Sequence, residues 1–201
     1  MLPPRDDLHF LLFDWLHAEA LATRPDFNHL DRDSIEAMID AALDLAAAEF
    51  LSHAAKSDAN PPCFHDGKVS IIPEVAKALT AYREAGLFGM QAPQDEGGLG
   101  LPYTVVSAIG AAFSAANIAT NGYAFLTQAA ANLIRETGDE QQKRRYLPAM
   151  VDGRWFGTMC LSEPQAGSSL ADIRTIAEPL PDGRYSLRGH KMWISSGDHE
   201  M

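Results

Sequence analysis

The chain has 201 residues, of which 46% are hydrophobic and 21% are charged, a mixture typical of folded domains and unlike that of disordered proteins. Its formal net charge is −11, so the protein as a whole repels a phosphate backbone, which argues against nucleic acid as its main partner. The length suits one domain together with part of a second.

Cysteine and histidine usage gives no sign of a metal site or a disulfide framework. Cys63 and Cys160 are far apart, and the seven histidines show no paired spacing. The N-terminus lacks the basic start and small-residue cleavage site of a secretory signal. No apolar run approaches the roughly 18 residues needed to cross a bilayer. We therefore expect a cytoplasmic protein with no metal and no membrane partner.

Apolar residues keep a helical period from residue 8 to about residue 150. In the first half of this region the pattern predicts three amphipathic helices over 8–16, Ile35–Phe50 and Pro73–Ala85. The first is predicted to face the core through Leu8, Leu11, Leu12, Trp15 and Leu16. Asp33 or Ser34 is the predicted cap of the second helix. A proline-containing loop over 58–66 separates the second helix from the third.

The segment 97–100 contains three glycines in four positions, a composition that interrupts a helix and predicts a turn. Two helices follow, over 103–116 and 121–136, with small or apolar residues almost all round, as expected inside a bundle. A last helix is predicted from Asp139 to Val151, because Gly138 closes the preceding helix and Asp139 is a good cap.

After Gly153 the pattern becomes that of strands. Three strands are predicted, over Trp155–Leu161, Thr175–Leu180 and Tyr185–Ile194. The fold class is therefore predicted to be α+β, with a helical domain over 1–153 followed by a partial β domain over 154–201. So short a sheet leaves unpaired edges and an unfinished core, so we expect the chain to be a truncated part of a longer protein.

The stretch from Met159 to Ser169 ends a predicted strand in a loop of small residues. Pro164 has no amide donor, Gly167 allows a ligand to approach the backbone, and Ser168 adds a hydroxyl. Such a loop could hold a phosphate or the edge of a ring. Composition alone, however, is more typical of an ordinary surface turn.

The order of residues in this loop is informative. Glu163-Pro164-Gln165-Ala166-Gly167-Ser168, after Cys160-Leu161-Ser162, resembles the signature of acyl-CoA dehydrogenases. The Gly-Gly-Leu-Gly turn at 97–100 and the sequence Gly-His-Lys-Met-Trp-Ile-Ser at 189–195 are similar to two further landmarks of that family. The resemblance implies that the strands begin an antiparallel β-barrel domain, with FAD as the cofactor and acyl-CoA as the substrate.

The resemblance also implies which residues bind the cofactor. Backbone groups of Met159 and Leu161 and the hydroxyl of Ser162 are expected at the flavin ring, and Gly167 and Ser168 at the pyrophosphate. The neighbouring strand is expected to bring Trp193, Ile194 and Ser195 to the ring. Ser168 is also expected to touch acyl-CoA. A hydrogen bond donated to the flavin favours the reduced ring, which gains negative charge on accepting a hydride.

In the reaction of the family, a glutamate removes the α-proton of the acyl thioester while the β-hydrogen leaves as hydride, giving a trans-2-enoyl-CoA. The base of most members lies in a later helical domain, so no catalytic base is expected in this chain. The chain alone should be inactive and should retain FAD poorly, because much of the flavin and oligomer contacts would also be absent. Glu163 precedes Pro164 in a loop that the family uses structurally, and it is not predicted to be the base. The implied partners are an electron-transfer flavoprotein or similar acceptor and further copies of the full-length protein.

Two positions depart from the family pattern, because Gln165 stands where glycine is common and Ser169 where aspartate is common. Neither change removes the predicted flavin contacts. The segments before residue 35, at 126–129 and at 196–201 resemble the branch of 3-methylmercaptopropionyl-CoA dehydrogenases. Three alternatives stay open: an acyl-CoA oxidase that passes electrons to oxygen, a non-catalytic flavin-binding relative, and a helical interaction module without a ligand.

Overall fold

The computed structural model describes residues 1–201 as a helical bundle followed by a small β region. The helices are α1 Arg5–His9, α2 Arg32–Leu45, α3 Ala54–Ala59, α4 Pro73–Glu84, α5 Tyr103–Thr137 and α6 Glu140–Val151. The strands form two antiparallel hairpins, β1 Cys63–His65 with β2 Lys68–Ser70 and β3 Ile176–Pro179 with β4 Tyr185–Arg188. This succession confirms the predicted α+β fold class.

Two of the helices begin with reciprocal capping bonds. At α2 the Asp31 carboxylate accepts from the Ser34 amide at 2.8 Å, and the Ser34 hydroxyl accepts from the Asp31 amide at 2.9 Å. The cap predicted at Asp33 or Ser34 was therefore wrong, since Ser34 is the third residue of the helix and returns the bond. At α6 the predicted cap, Asp139, is confirmed by its 2.8 Å bond from the amide of Gln142.

The central helix α5 is broken at Asn117, whose backbone is extended (φ −163°, ψ 92°), so the two helices predicted here are present as its two halves. The Asn117 side chain caps the second half by accepting from the Thr120 amide at 3.2 Å. His53 lies 2.8 Å from the Thr120 hydroxyl and 2.7 Å from the carbonyl of Glu49. The buried polar groups at the kink thus satisfy one another.

The core of the bundle is aromatic at its centre. Phe113 packs 4.8 Å from Phe50 and 4.8 Å from Tyr82, measured between ring centroids. Burial raises the pKa of Tyr82 above its ordinary range.

The prediction that no apolar run approaches the length of a membrane span was wrong, because helix α5 is long and apolar enough by length and composition. Half of its most apolar window is, however, buried inside the protein. The apolar residues on its buried side, such as Val105, Ile109 and Phe113, belong to this core, whereas Ile118 and Phe125 are exposed.

The inward face predicted for the first helix was partly wrong. Leu8 and Leu12 are buried, as predicted, and so is Phe13. By contrast, Leu11, Trp15 and Leu16 are 44%, 67% and 55% exposed. The reason is a π-helical turn over Phe10–Trp15, which has more residues per turn than an α-helix and so brings Phe13 to the core.

The strand predictions were met in part. The strand predicted over Thr175–Leu180 is confirmed as β3, and the one from Tyr185 is confirmed only to Arg188. Residues 155–161 form no strand, because a strand requires a ladder of backbone bonds and this segment has almost none. The predicted loop over 58–66 contains strand β1 instead.

Candidate functional site

Helix α5 anchors the segment that enters the candidate site. The Thr127 hydroxyl, which is fully buried, accepts from the Gly157 amide at 3.0 Å and donates to the carbonyl of Tyr123 at 2.6 Å. A Cβ on Gly157 would lie 2.7 Å from the Cβ of Ala130. Only glycine therefore allows the backbone to lie this close to the helix.

Two segments that carry the predicted flavin contacts lie side by side beyond this anchor. The Thr158 hydroxyl donates to the carbonyl of Ser195 at 2.6 Å. Further along, the Met192 amide donates to the carbonyl of Ser162 at 3.0 Å. The structure thus brings residues 158–163 and 191–195 together, although about 30 residues separate them in sequence.

The carboxylate of Glu163 ties three pieces of chain together. One oxygen accepts from the Arg174 amide at 2.8 Å and the Gln165 side chain at 2.6 Å. The other accepts from the Thr175 amide at 3.0 Å and the Lys191 ammonium at 2.9 Å. The Glu163 side chain is only 3% exposed. This carboxylate is therefore fully occupied in holding the loop.

The charge state of Glu163 follows from these neighbours. Donors from Thr175, Arg174 and Lys191 hold the pKa of the Glu163 carboxyl well below its ordinary value. A general base works best when its pKa lies near the working pH and when it is free to reach the substrate. Glu163 meets neither condition, which supports the prediction that its role is structural.

The loop after Glu163 is a tight turn, and unpaired backbone donors lie on both sides of Glu163. Glu163 and Ala166 exchange backbone bonds of 2.9 and 3.0 Å. Five backbone amides at the predicted cofactor positions donate no hydrogen bond within the protein, those of Met159, Leu161, Ser162, Gly167 and Ser168. A Cβ built on Gly167 would meet no atom within 4 Å. Such unpaired donors suit an anionic or polar ligand, so these residues fit the pyrophosphate and ring edge of FAD.

The predicted contacts on the neighbouring segment are arranged differently from one another. Ser195 is held against Thr158, and Ile194 is half-buried. The Trp193 side chain is 83% exposed, and its backbone is left-handed with φ at 60°. Trp193 therefore does not continue strand β4, and its indole faces solvent beside the loop.

Sequence reasoning missed several residues that build this site. Lys191 stands inside the sequence Gly-His-Lys-Met-Trp-Ile-Ser at 189–195, and its place in that motif was a signal of its role. Thr127 and Thr175 carry no comparable signal, because their contacts join residues that are distant in sequence. The structure gathers no cluster of three or more histidine, cysteine, aspartate or glutamate side chains that could hold a metal.

The chain returns to the helical domain after Ser195. The ring of His199 lies between Tyr123 and Phe156, at centroid distances of 5.5 and 4.9 Å. Burial lowers the pKa of His199. Glu200 accepts from the amide of Ile71 at 3.2 Å. The residues of the candidate site are thus held against the bundle on both sides.

Known proteins resemble this chain in sequence and in fold. Residues 32–154 match the family of acyl-CoA dehydrogenase N-terminal domains. The 3-methylmercaptopropionyl-CoA dehydrogenase of Ruegeria pomeroyi is 32% identical over 99% of this chain and 34% of its own length. The butyryl-CoA dehydrogenase of Syntrophomonas wolfei is 31% identical over 97% of this chain and 33% of its own length.

A solved structure shares the fold. The acyl-CoA dehydrogenase from Bacillus anthracis, in complex with FAD, superposes with a TM-score of 0.64 at 25% identity, covering 80% of this chain and 26% of that one. This chain spans about a third of the length of the two enzymes from Ruegeria and Syntrophomonas. The family match covers more than half of the chain, and it agrees with the three motifs and with the helical bundle. The chain therefore belongs to the acyl-CoA dehydrogenase family.

Proposed function

We propose that this chain supplies the helical domain and the flavin-binding loop of an FAD-dependent enzyme that oxidises an acyl-CoA thioester to the trans-2-enoyl-CoA. The observation that carries the proposal is the packing of residues 158–163 beside 191–195. This packing gathers free backbone donors from the two segments that contain the family motifs. Because the chain spans about a third of its relatives, the complete activity is proposed for a protein of their length.

The residues of this chain would bind and orient the cofactor. FAD supplies the hydride acceptor of the reaction when it is bound. Backbone groups of Met159 and Leu161 and the hydroxyl of Ser162 would meet the ring edge, while Gly167 and Ser168 would hold the pyrophosphate. Donors fixed at the ring edge favour the state in which the ring carries more negative charge.

The remaining contacts would come from the second segment and from the substrate. Trp193, Ile194 and Ser195 would approach the ring from the neighbouring segment, with the exposed indole of Trp193 as a flat wall. Ser168 would also touch acyl-CoA. Since Glu163 is engaged with four donors, the base that removes the α-proton is proposed to lie outside these residues.

The proposed partners follow from the same chemistry. Electrons that leave the substrate as hydride must pass to an acceptor, for which we propose an electron-transfer flavoprotein or a similar carrier. We also propose a cytoplasmic location and a homo-oligomeric full-length protein. If the full-length protein released peroxide in the presence of oxygen, the acyl-CoA oxidase alternative would replace the dehydrogenase.

The cofactor proposal is tested by titrating the purified chain with FAD and following flavin fluorescence. Gly167→Val is the informative variant. A Cβ at this position meets no protein atom within 4 Å, and the valine side chain would block the approach of a ligand to the loop. Gly110→Val is the matched control, since a Cβ there also meets nothing within 4 Å.

We expect weak but saturable FAD binding by the unmodified chain and by Gly110→Val, and loss of most of that binding in Gly167→Val. Equal binding by the two variants would place the cofactor elsewhere. A dye-reduction assay with a panel of acyl-CoAs should give no turnover with this chain. Normal turnover would show that the base is within these residues.

A further inference from the structure

The side chain of Lys191 connects the two segments of the candidate site by hydrogen bonds. Its ammonium donates to the carbonyl of Leu161 at 3.0 Å and to the carboxylate of Glu163 at 2.9 Å. The lysine side chain is only 22% exposed. A charged donor held in such a place makes stronger and better directed bonds than a neutral one in water.

The bond to Leu161 determines the direction of the next amide. The peptide between Leu161 and Ser162 is trans, as are all peptides of the chain, so its carbonyl and its N–H point in opposite directions. With the carbonyl held by Lys191, the N–H of Ser162 must point away from the lysine. The following carbonyl, that of Ser162, is held by the Met192 amide at 3.0 Å.

The Ser162 amide itself donates no bond within the protein. The peptide that contains this amide has its carbonyl bound to Lys191, and the carbonyl of the next peptide is bound to Met192. The direction of the Ser162 amide is therefore set before any ligand binds. A donor fixed in advance costs no reorganisation when it meets the ligand.

We propose that Lys191 is a positioning residue, whose ammonium orients the Leu161–Ser162 peptide so that the Ser162 amide faces the cofactor, and that Glu163 keeps the ammonium in place. The identity of the ligand rests on the function proposed above, whereas the orientation of the peptide does not. Lys191 thus acts through Ser162 and touches neither the substrate nor the reacting atoms.

Four variants separate orientation from simple anchoring. Lys191→Met removes both bonds, whereas Lys191→Arg keeps a cationic group that can donate to both acceptors. Glu163→Gln weakens the anchor but leaves the bond from Lys191 to Leu161 possible. Arg184→Gln is the control, because it breaks an exposed ion pair with Asp182 in the same β region.

The measurements are the NMR shift of the Ser162 amide, hydrogen exchange of the Met192 amide that donates to the Ser162 carbonyl, and FAD affinity by fluorescence titration. In Lys191→Met we expect a displaced Ser162 signal. We also expect exchange of the Met192 amide to become about tenfold faster and the FAD dissociation constant to rise about tenfold, the usual effect of losing one charge-assisted bond. Glu163→Gln should give a smaller change in the Ser162 shift. Lys191→Arg should restore the Ser162 signal and bring the exchange rate and the FAD dissociation constant to within about threefold of those of the unmodified chain. Arg184→Gln should match the unmodified chain in all three readouts.

Two results would overturn the proposal. One is a Lys191→Met chain whose Ser162 shift and Met192 exchange match those of Arg184→Gln. The other is an effect of Glu163→Gln on the Ser162 shift larger than that of Lys191→Met, which would mean that the carboxylate and not the ammonium sets the direction of the peptide. If the unmodified chain fails to bind FAD, only the proposed cofactor contacts of this chain are refuted, because the amide shift and the exchange report the orientation of the peptide without flavin.

Discussion

Thr127→Val tests how firmly the bundle holds the candidate site. Valine has nearly the shape of threonine but cannot accept from the Gly157 amide, which the hydroxyl now does at 3.0 Å. The bond to the carbonyl of Tyr123 matters less, because that carbonyl belongs to a helical turn. An unsatisfied buried donor costs about 1–3 kcal/mol, and since Gly157 is only half-buried we expect about 1–2 kcal/mol.

This loss should appear both globally and locally. The melting temperature should fall by about 2–8 °C for a protein of this size. Exchange of the Gly157 amide should become about 5- to 30-fold faster if the loss is local. Thr127→Ser is the matched control, because it removes a buried methyl group but keeps the hydroxyl. It should destabilise the protein without changing local protection at Gly157.

The decisive comparison is the Gly157 amide in the two variants, measured by hydrogen exchange under native conditions. If Thr127→Val left Gly157 as protected as Thr127→Ser does, the hydroxyl would not be the anchor of this segment. A fall in stability without a change at Gly157 would have the same meaning, since it would reflect only the core of the bundle.

Gly98→Ala should lower the urea midpoint of unfolding more than Gly97→Ala does. A Cβ at Gly98 would lie 2.1 Å from the carbonyl oxygen of Ala92, whereas a Cβ at Gly97 has open space and only the cost of a left-handed φ of 83°. Equal midpoints would contradict this. The pKa of Glu163 is lowered in the folded protein. The carboxylate therefore stabilises the loop above about pH 4.5, and this stabilisation is lost as the pH falls through the folded pKa. Hydrogen exchange should show this loss in the unmodified chain and not in Glu163→Gln. The pKa of His199 is lowered by burial, so its packing is stable above about pH 6.5 and weakens as the pH falls through the folded pKa; an NMR titration with a midpoint above 6.5 would refute this.

Local sequence was sufficient for the parts of the protein that depend on neighbouring residues. Periodicity and short-range bonds predicted most of the helices and the break between the halves of α5. They also predicted the glycine turn at 97–100 and the cap at Asp139. The family was also evident, because its motifs are short runs of adjacent residues. The first helix shows the limit, because a single π-helical turn moved Leu11 and Trp15 to the surface.

Only the tertiary structure decided how the candidate site is held together. The bonds of Gly157 to Thr127 and of Lys191 to Leu161 and Glu163 join residues 28 to 30 positions apart, and no local pattern records which distant groups will meet. The sequence by itself thus determined the family, the helices and the positions of the motifs. The fold decided that Glu163 is a bound, ionised anchor and that Lys191 directs a backbone amide, because hydrogen bonds depend on distance and direction in space.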